Sequence, residues 1–184
     1  DNFVHSHVLE HLYEPIPALR AISGAQKSGD RMIFSIPNLQ YYVENFFVNA
    51  LNFEHTYYIT EPVVEYLLAA AGYSILEKKY YDNHSIFYAA ERIEFSKETP
   101  KLHENLYNKN KTDYLSLVDY YRSEVDSYNK LISNHDGDVF LFGAHIFSQF
   151  LLYMGLDSSR IISILDNSPQ KIDKRLYGST LKIS

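Results

Sequence analysis

Residues 138–167 read DVFLFGAHIFSQFLLYMGLDSSRIISILDN, and this stretch decides the fold class. The apolar run VFLF is typical of a buried strand, and Gly143 provides a turn directly after it. The run IFSQFLLYM is typical of an apolar helix that ends at Gly155, and IISIL predicts a second strand that ends at Asp166. A strand, a glycine turn, a helix and a strand form a βαβ unit, whose crossover we expect to be right-handed. The sequence therefore predicts an α/β protein.

Composition limits the function classes. The chain has 184 residues, enough for one large domain or two small ones, and it has no cysteine, which excludes disulfides and thiolate zinc sites within it. With 23 acidic and 17 basic residues its net charge is −6, which argues against a nucleic-acid partner. No apolar run has the length of a membrane helix, so we expect no membrane partner and a cytoplasmic location. Because the chain does not start with methionine, we expect it to be a piece of a longer protein.

The first half of the chain also has an α/β pattern. The segment RMIFSIPN at residues 31–38 predicts a buried strand of a largely parallel sheet. Thr60 as cap, Pro62 in the first turn and Gly72 as stop predict a helix between them. Residues 74–81 and 85–90 then predict an antiparallel hairpin across a short polar turn.

A charged segment without periodicity separates the two halves. Residues 94–111 are predicted to be a linker, and a long amphipathic helix with Thr112 as its cap is predicted to follow. The predicted organisation is a first domain at residues 1–93, this linker, and a second domain at residues 112–184.

Four segments of the first half carry a resemblance to a known family. They occur in the order DNFVHSHVLEHLYEPIPALRAI, KSGDRMIFSIPN, FEHTYYIT and LLAAAGYSILEKKYY. Together they resemble the second half of a class I S-adenosylmethionine-dependent methyltransferase, in which a strand ending in Pro-Asn and a terminal antiparallel hairpin follow a loop of the Leu-Glu-His type.

The second half carries a narrower resemblance. The segments VFLFGAH and GLDSSRIISILDNSPQKIDKRLYGSTLKI are similar to the C-terminal domain of bacterial sugar-nucleotide C-methyltransferases. The implied fold is the second half of a Rossmann-like methyltransferase sheet, followed by the start of a second Rossmann-like βαβ domain. The resemblance places the glycine-rich loop for S-adenosylmethionine, and a zinc-binding domain, upstream of Asp1. We therefore expect this chain alone to bind S-adenosylmethionine poorly. We expect zinc only in the upstream domain.

The resemblance also assigns catalytic residues. The implied reaction transfers a methyl group to a carbon of a deoxysugar linked to a nucleoside diphosphate, and it needs a base that removes a proton next to a carbonyl group. The family's Glu-His pair maps onto Glu54 and His55, so that His55 acts as the base and Glu54 orients it. His11, in the sequence LEHL, is expected to assist from the wall of the substrate site opposite His55.

Further contacts are implied around these residues. His5, Ser6 and His7 lie at the predicted carboxyl end of a strand, where open α/β sheets bind ligands, and they are expected to contact the cofactor. Asn38 and Asn52 are expected to contact the substrate. A tyrosine is frequent in the family at the position that Asn52 occupies here.

A metal site is an alternative interpretation of the same histidines. His5 and His7 share one face of a strand, and Glu10 and His11 follow them, so these residues include metal-ligand types. Their spacing is loose and specifies no further ligand, so we predict no metal.

Two other functions stay open at this point. An O-methyltransferase would share the core but would need no carbon-acid chemistry. A non-catalytic module would instead hold a nucleotide sugar or mediate oligomerisation through the second half. For the protein in general, the oligomer we expect is a homodimer.

Gly143 stands alone and not in a G-x-G-x-x-G motif. The turn at Gly143 is therefore structural or contacts the nucleotide of a substrate, and it is not an NAD site.

Overall fold

The computed structural model describes residues 2–51, 54–94 and 101–184, with the side chain of Ala50 left out. The chain divides into two compact units, Asp1–Asn110 and Lys111–Ser184. A four-stranded mixed sheet lies in the first unit and a two-stranded parallel sheet in the second. The predicted α/β class is confirmed at this level. The division into domains at 1–93 and 112–184 stays a prediction, and residues 95–100 of its linker lie outside the described residues.

The strands and helices alternate through most of the chain. Their bounds are β1 (Asn2–Ser6), α1 (Pro15–Ala25), β2 (Arg31–Pro37), α2 (Leu39–Glu44), α3 (Glu61–Ala70), β3 (Tyr73–Tyr81), β4 (Ser85–Arg92), α4 (Leu106–Ser133), β5 (Val139–Phe142), α5 (Ile146–Tyr153) and β6 (Ile161–Leu165). Short 3-10 helices occupy Leu9–His11, Val48–Ala50 and Ser158–Arg160. The strand, helix and hairpin predicted between residues 31 and 90 are all present.

The sheet of the first unit has the strand order β1-β2-β4-β3. β1 and β2 are parallel, whereas β4 is antiparallel to both β2 and β3. The expectation of a largely parallel sheet around β2 is therefore wrong on one side of that strand. The short turn after Tyr81 makes β4 run antiparallel to β3, and the pairing of β4 with β2 then adds an antiparallel neighbour to that strand.

The core of the first unit lies between this sheet and the helices α1 and α3. Phe34 of β2 and Tyr88 of β4 stack with ring centroids 5.1 Å apart and planes inclined by 9°. Alternate residues of both strands point into this core, as expected for the side-chain period of a β-strand. The fully buried side chains around the pair include Leu9, Leu19, Met32, Ile36, Val64 and Leu68.

A β-bulge in β3 decides which of its side chains face α3. The register with β4 shifts between Ile75 and Glu77, so Leu76 is an extra residue in the strand. Tyr73 and Ile75 pack in the core before the bulge. After it, Lys78 Nζ lies 2.8 Å from Glu65 Oε1, a carboxylate of α3. Hydrogen bonds to the carboxylates of α3 raise the pKa of Lys78.

The second unit is built on the predicted βαβ pattern. β5 and β6 pair in parallel, and α5 connects them. Tyr121 of α4 packs edge-on against Phe150 of α5, with ring centroids 5.1 Å apart. The predicted start of α4 at Thr112 is wrong, because the helix begins at Leu106. Residues 106–111 contain neither proline nor glycine, so nothing in the sequence stops the helix from extending into them.

In the part of the chain that the structure describes, none of the helices combines the length and the apolar character that crossing a bilayer requires.

The core contains one tyrosine hydroxyl whose removal we expect to stabilise the fold. Tyr88 Oη is buried without a hydrogen-bond partner among the described residues, whereas Tyr73 Oη donates to Gln26 Oε1 at 2.6 Å. Tyr88→Phe removes the desolvation cost of an unpaired hydroxyl, so the free energy of unfolding should rise by about 1 kcal/mol.

The matched control is Tyr73→Phe, which loses a hydrogen bond and should lower the free energy of unfolding by about 1 kcal/mol. Urea unfolding followed by circular dichroism measures both variants. A Tyr88→Phe protein that is less stable than the wild type would contradict this account of the core.

Candidate functional site

The candidate site lies at the carboxyl ends of β1 and β2. These strands are parallel, so both end at the same edge of the sheet, where open α/β sheets bind ligands. His7 follows β1 in a left-handed conformation, with φ of 50°, and its amide donates to the carbonyl of Ser35 at 3.0 Å. The chain then enters the 3-10 helix Leu9–His11. A left-handed, non-glycine residue two positions before this helix marks a loop that is a candidate for function.

A second segment of the chain docks on this 3-10 helix through hydrogen bonds. The amide of Thr56 donates to the carbonyl of Glu10 at 3.0 Å, and Thr56 Oγ1 donates to the carbonyl of Leu12 at 2.8 Å. Tyr57 Oη donates to the carbonyl of Tyr13 at 2.9 Å. Carbonyl groups of the Leu-Glu-His segment and the residues after it therefore accept hydrogen bonds from the segment that begins Glu-His-Thr. The donors are an amide and two hydroxyl groups, and these bonds hold the two segments together.

This docking places His11 and His55 side by side. Their ring centroids are 4.9 Å apart and the planes are inclined by 72°. His11 Nδ1 lies 2.9 Å from the carbonyl oxygen of Glu54. A carbonyl oxygen only accepts hydrogen bonds, so Nδ1 carries the hydrogen, and in the neutral ring Nε2 keeps its lone pair. The geometry thus fixes the tautomer of His11.

The carboxylate at this site belongs to Glu10. The residue is 3% exposed, and neither carboxylate oxygen accepts a hydrogen bond from the described residues. Oε1 lies 3.3 Å from His7 Nδ1, an ion-pair distance without hydrogen-bond geometry. One donor atom each of Glu10, His11 and His55 lie within 4.8 Å of one another. A buried carboxylate without hydrogen bonds is costly, which is the arrangement expected at a functional site and not in a structural core.

A small cavity adjoins this group. Its volume is about 10 Å³, enough for one water molecule or one ion. Glu10 and His55 supply its polar lining, and apolar and aromatic residues complete it, namely Ile36, Pro37, Leu39, Tyr57, Tyr58 and Ile59. The carboxylate and the imidazole therefore face a small, mostly apolar space, in which electrostatic interactions are stronger than in bulk water.

The three predicted cofactor contacts lie along β1 and the residue after it. The ring of His5 stacks on Phe34 with centroids 5.0 Å apart, and burial lowers the pKa of His5, so its ring is neutral near pH 7. The hydroxyls of Ser6 and Ser35 share a hydrogen bond of 2.7 Å. His7 Nε2 lies 3.1 Å from Ser85 Oγ. Their role toward a cofactor stays a prediction.

The two predicted substrate contacts have different outcomes. Asn38 caps α2, because its Oδ1 accepts a hydrogen bond from the amide of Tyr41 at 3.3 Å. Its own amide donates to the carbonyl of His84 at 2.9 Å. These contacts give Asn38 a structural task, and its role toward a substrate stays a prediction. Asn52 lies outside the described residues.

Sequence reasoning placed the carboxylate of the site on Glu54 and gave Glu10 no catalytic task. In the structure the Glu54 side chain is exposed, and its carbonyl group is the part that contacts His11. Glu10 is buried beside both histidines. The sequence signal was the Leu-Glu-His motif itself, in which a glutamate directly precedes the predicted histidine.

The second unit contains a larger cavity at the carboxyl ends of β5 and β6. Its volume is about 300 Å³, and three basic residues line it, namely Lys171, Lys174 and Arg175. Asp166 stands beside it and anchors Lys171, whose Nζ lies 2.9 Å from Asp166 Oδ2. Lys171 and backbone amides that donate to this carboxylate lower the pKa of Asp166 to about 2. This carboxylate is thus charged and paired, while the cavity keeps a positive lining.

Comparison with known proteins identified no family: no protein-family model and no curated protein matches the chain.

We expect Thr56 to hold the two halves of the candidate site together. Thr56→Val keeps the side-chain shape but removes the hydroxyl that donates to the carbonyls of Glu10 and Leu12. The free energy of unfolding should fall by about 1 kcal/mol, and the His11 and His55 ring signals should shift in nuclear magnetic resonance spectra.

Thr60→Val is the matched control, because Thr60 Oγ1 is buried and has no hydrogen-bond partner among the described residues. That variant should be as stable as the wild type or more stable, with unchanged histidine signals. Equal effects of the two substitutions would show that the Thr56 hydroxyl does not organise the site.

Proposed function

We propose that this chain carries part of an S-adenosylmethionine-dependent methyltransferase of the sugar-nucleotide C-methyltransferase type. The reaction would place a methyl group on a carbon of a deoxysugar linked to a nucleoside diphosphate. One observation carries the proposal: His11, His55 and the buried carboxylate of Glu10 meet at the carboxyl ends of the parallel strands β1 and β2. This is the edge at which an α/β sheet binds its ligands.

The architecture supports the same proposal. The resemblance implies a strand that ends in Pro-Asn, followed by a terminal antiparallel hairpin, and β2 ends at Pro37 before Asn38 while β3 and β4 form such a hairpin. It also implies a βαβ unit in the second half, where β5, α5 and β6 lie. The Rossmann-like identity of both sheets is part of the proposal.

The residues at the amino-terminal strand fit a contact with the cofactor. His5 Nδ1 is buried and has no hydrogen-bond partner among the described residues, so it can accept or donate one bond to a bound molecule. Ser6 and His7 continue from it toward the edge of the sheet. When bound, S-adenosylmethionine would supply an electrophilic methyl group.

The chain's own chemical task would be to remove a proton from the acceptor carbon. A hydrogen next to a carbonyl group is a weak acid, so His55 must take it while its ring is neutral. The resulting imidazolium would lie next to the carboxylate of Glu10, which would stabilise it. His11 donates from Nδ1 to the carbonyl of Glu54, which leaves Nε2 of the neutral ring as the nitrogen with a lone pair. Glu54 therefore acts through its main chain on the second histidine.

Hydrogen exchange tests this step directly on the 184-residue chain. A keto-deoxyhexose linked to thymidine diphosphate is incubated with the protein in deuterated buffer, without a methyl donor. The wild type should replace the hydrogen next to the carbonyl group by deuterium, seen as loss of its proton signal. His55→Ala should slow this exchange by roughly 100-fold or more.

His103→Ala is the control, because His103 is exposed and lies outside the group of Glu10, His11 and His55. Its exchange rate should equal that of the wild type. Exchange that is absent in the wild type, or unchanged in His55→Ala, would overturn the carbon-acid mechanism and favour an O-methyltransferase.

A second candidate function concerns the second unit by itself. The cavity of about 300 Å³ with Lys171, Lys174 and Arg175 in its lining suits a molecule with phosphate groups. Gln149, Gln170 and Tyr177 add hydrogen-bonding groups and an aromatic ring to the same lining. We propose that this unit can bind the nucleoside diphosphate of a nucleotide sugar, whether or not the first unit is catalytic.

Calorimetric titration of the chain with thymidine diphosphate tests this candidate. Exchanging both Lys174 and Arg175 for alanine removes two cations from the cavity lining and should weaken binding by roughly tenfold or more. Added salt should weaken wild-type binding, because the contacts are ionic.

Lys130→Ala is the control, since Lys130 is an exposed cation of α4 outside the cavity lining. Equal affinities of the double variant and this control would rule out the cavity as the binding site.

A further inference from the structure

The group of Glu10, His11 and His55 has the composition of a metal centre. From this group we infer a binding site for one divalent transition-metal ion of the Zn²⁺ type, with Glu10, His11 and His55 as its ligands. The inference goes beyond methyl transfer and does not depend on it. The set also differs from the ligands considered from sequence alone, since His5 stacks on Phe34 and contributes nothing to it.

The donor atoms select the class of ion. Two imidazoles and one carboxylate are the ligands of many catalytic zinc sites, which leave a fourth position for water. Magnesium and calcium prefer oxygen ligands throughout, so two imidazoles disfavour them. The chain has no cysteine, which removes the thiolates that favour Cu(I) and iron–sulfur clusters.

Glu10 provides the second, independent observation. Its carboxylate is buried, with 4% of the side chain exposed, and no described residue donates a hydrogen bond to either oxygen. The lone contact with His7 at 3.3 Å leaves the second oxygen without a partner among the described residues. Burying such a group is unfavourable unless a cation compensates it, and a metal ion is the strongest compensation available. The cavity beside Glu10 and His55, about 10 Å³, has room for a single ion.

The surroundings of His11 prepare it as a ligand. Metal-binding histidines commonly donate their other ring hydrogen to a carbonyl or carboxylate, which fixes the ring orientation. His11 Nδ1 donates to the carbonyl of Glu54 at 2.9 Å, so Nε2 is the nitrogen that can coordinate. His7, in turn, lies against one oxygen of Glu10 and orients that carboxylate.

The three donor atoms would have to move only a short distance toward one another to bind an ion. Donor atoms around a tetrahedral zinc ion lie roughly 3.4 Å apart, as follows from metal–ligand bonds of about 2.1 Å. In the structure the three donors lie within 4.8 Å of one another. In the proposed site, rotation of the side-chain tips would bring the donors to bonding distance. The main-chain bonds of Thr56 hold the two segments in place during this closure.

Metal binding and proton abstraction would exclude each other at His55. An ion coordinated to the imidazole occupies a nitrogen lone pair, and a base needs that lone pair to accept a proton. A bound ion would therefore prevent His55 from acting as the base.

Titration of the whole chain with Co²⁺ tests the inference without any substrate or methyl donor. Four- or five-coordinate Co²⁺ absorbs visible light strongly, whereas hydrated Co²⁺ does not. The wild type should bind one Co²⁺ with this absorption and release it to Zn²⁺. Glu10→Gln and His55→Ala should each weaken binding by roughly 100-fold or more, because loss of a ligand costs at least as much as loss of a second-shell partner.

The control variant is His135→Ala, which removes an exposed imidazole outside the group and should bind as the wild type does. Circular dichroism establishes that each variant is folded. As a second readout, saturating Zn²⁺ should raise the melting temperature of the wild type and of His135→Ala but not of His55→Ala.

Equal Co²⁺ affinities of all four proteins, or a spectrum that stays that of the hydrated ion, would overturn the metal site. Neither result bears on hydrogen exchange at the substrate when that exchange is measured with a chelator added to the buffer. The failure of the metal site and the failure of the proposed reaction are therefore separate outcomes.

Discussion

The hydrogen bonds of Thr56 are the constraint on which the candidate site depends. His11 and His55 lie on segments that are far apart in sequence, and neither segment is part of the sheet. Thr56 joins them by donating to the main chain around His11 from both its amide and its hydroxyl group. Because the acceptors are carbonyl groups of a short helix, the contact fixes main chains and not only side chains. Together with the bonds of Tyr57 to the same segment, this contact holds the two imidazoles side by side.

The sheet supplies the other half of the arrangement. The parallel pair β1 and β2 brings His7 and the Leu9–His11 helix to one edge, while β4 supplies Ser85 next to His7. The antiparallel strand β4 therefore contributes to the site, because it begins at the end of the sheet where β2 ends. Electrostatics follow from this placement, since Glu10 is buried and mostly apolar and aromatic residues line the small cavity beside it. A charged group in such a space interacts strongly with whatever cation or proton comes near it.

Local sequence signals were enough for most of the fold. β2, α3, the β3–β4 hairpin and the second βαβ unit each carry a periodic apolar pattern bounded by proline, glycine or a polar turn. The neighbour of β2 could not be read in this way, because strand pairing depends on the whole sheet. The start of α4 was misplaced because a polar segment without breakers gives no boundary signal.

Part of the candidate site could be found from the sequence and part could not. His11 and His55 belong to short motifs, and the structure brings them into ring contact. The burial of Glu10 arises from the docking of residues 54–57, a tertiary contact with no local signature. The resemblance assigned the orienting role to Glu54; its side chain is exposed, and that role stays a prediction, as do the catalytic roles of both histidines. Burial and distance, which draw attention to Glu10, exist only in the folded chain.

The bulge at Leu76 affects how this protein can change during evolution. Before the bulge, the residues of β3 that face the core are odd-numbered, and after it they are the even-numbered Lys78 and Tyr80. Loss of the extra residue Leu76 would leave a regular strand in which Lys78 and Tyr80 keep their partners in β4, and the carboxylates of α3 would keep both contacts. Exchange of Leu76 for another residue is tolerated as well, because its side chain is half exposed. β3 can therefore vary in composition and in length at this position without turning its later side chains to the other face.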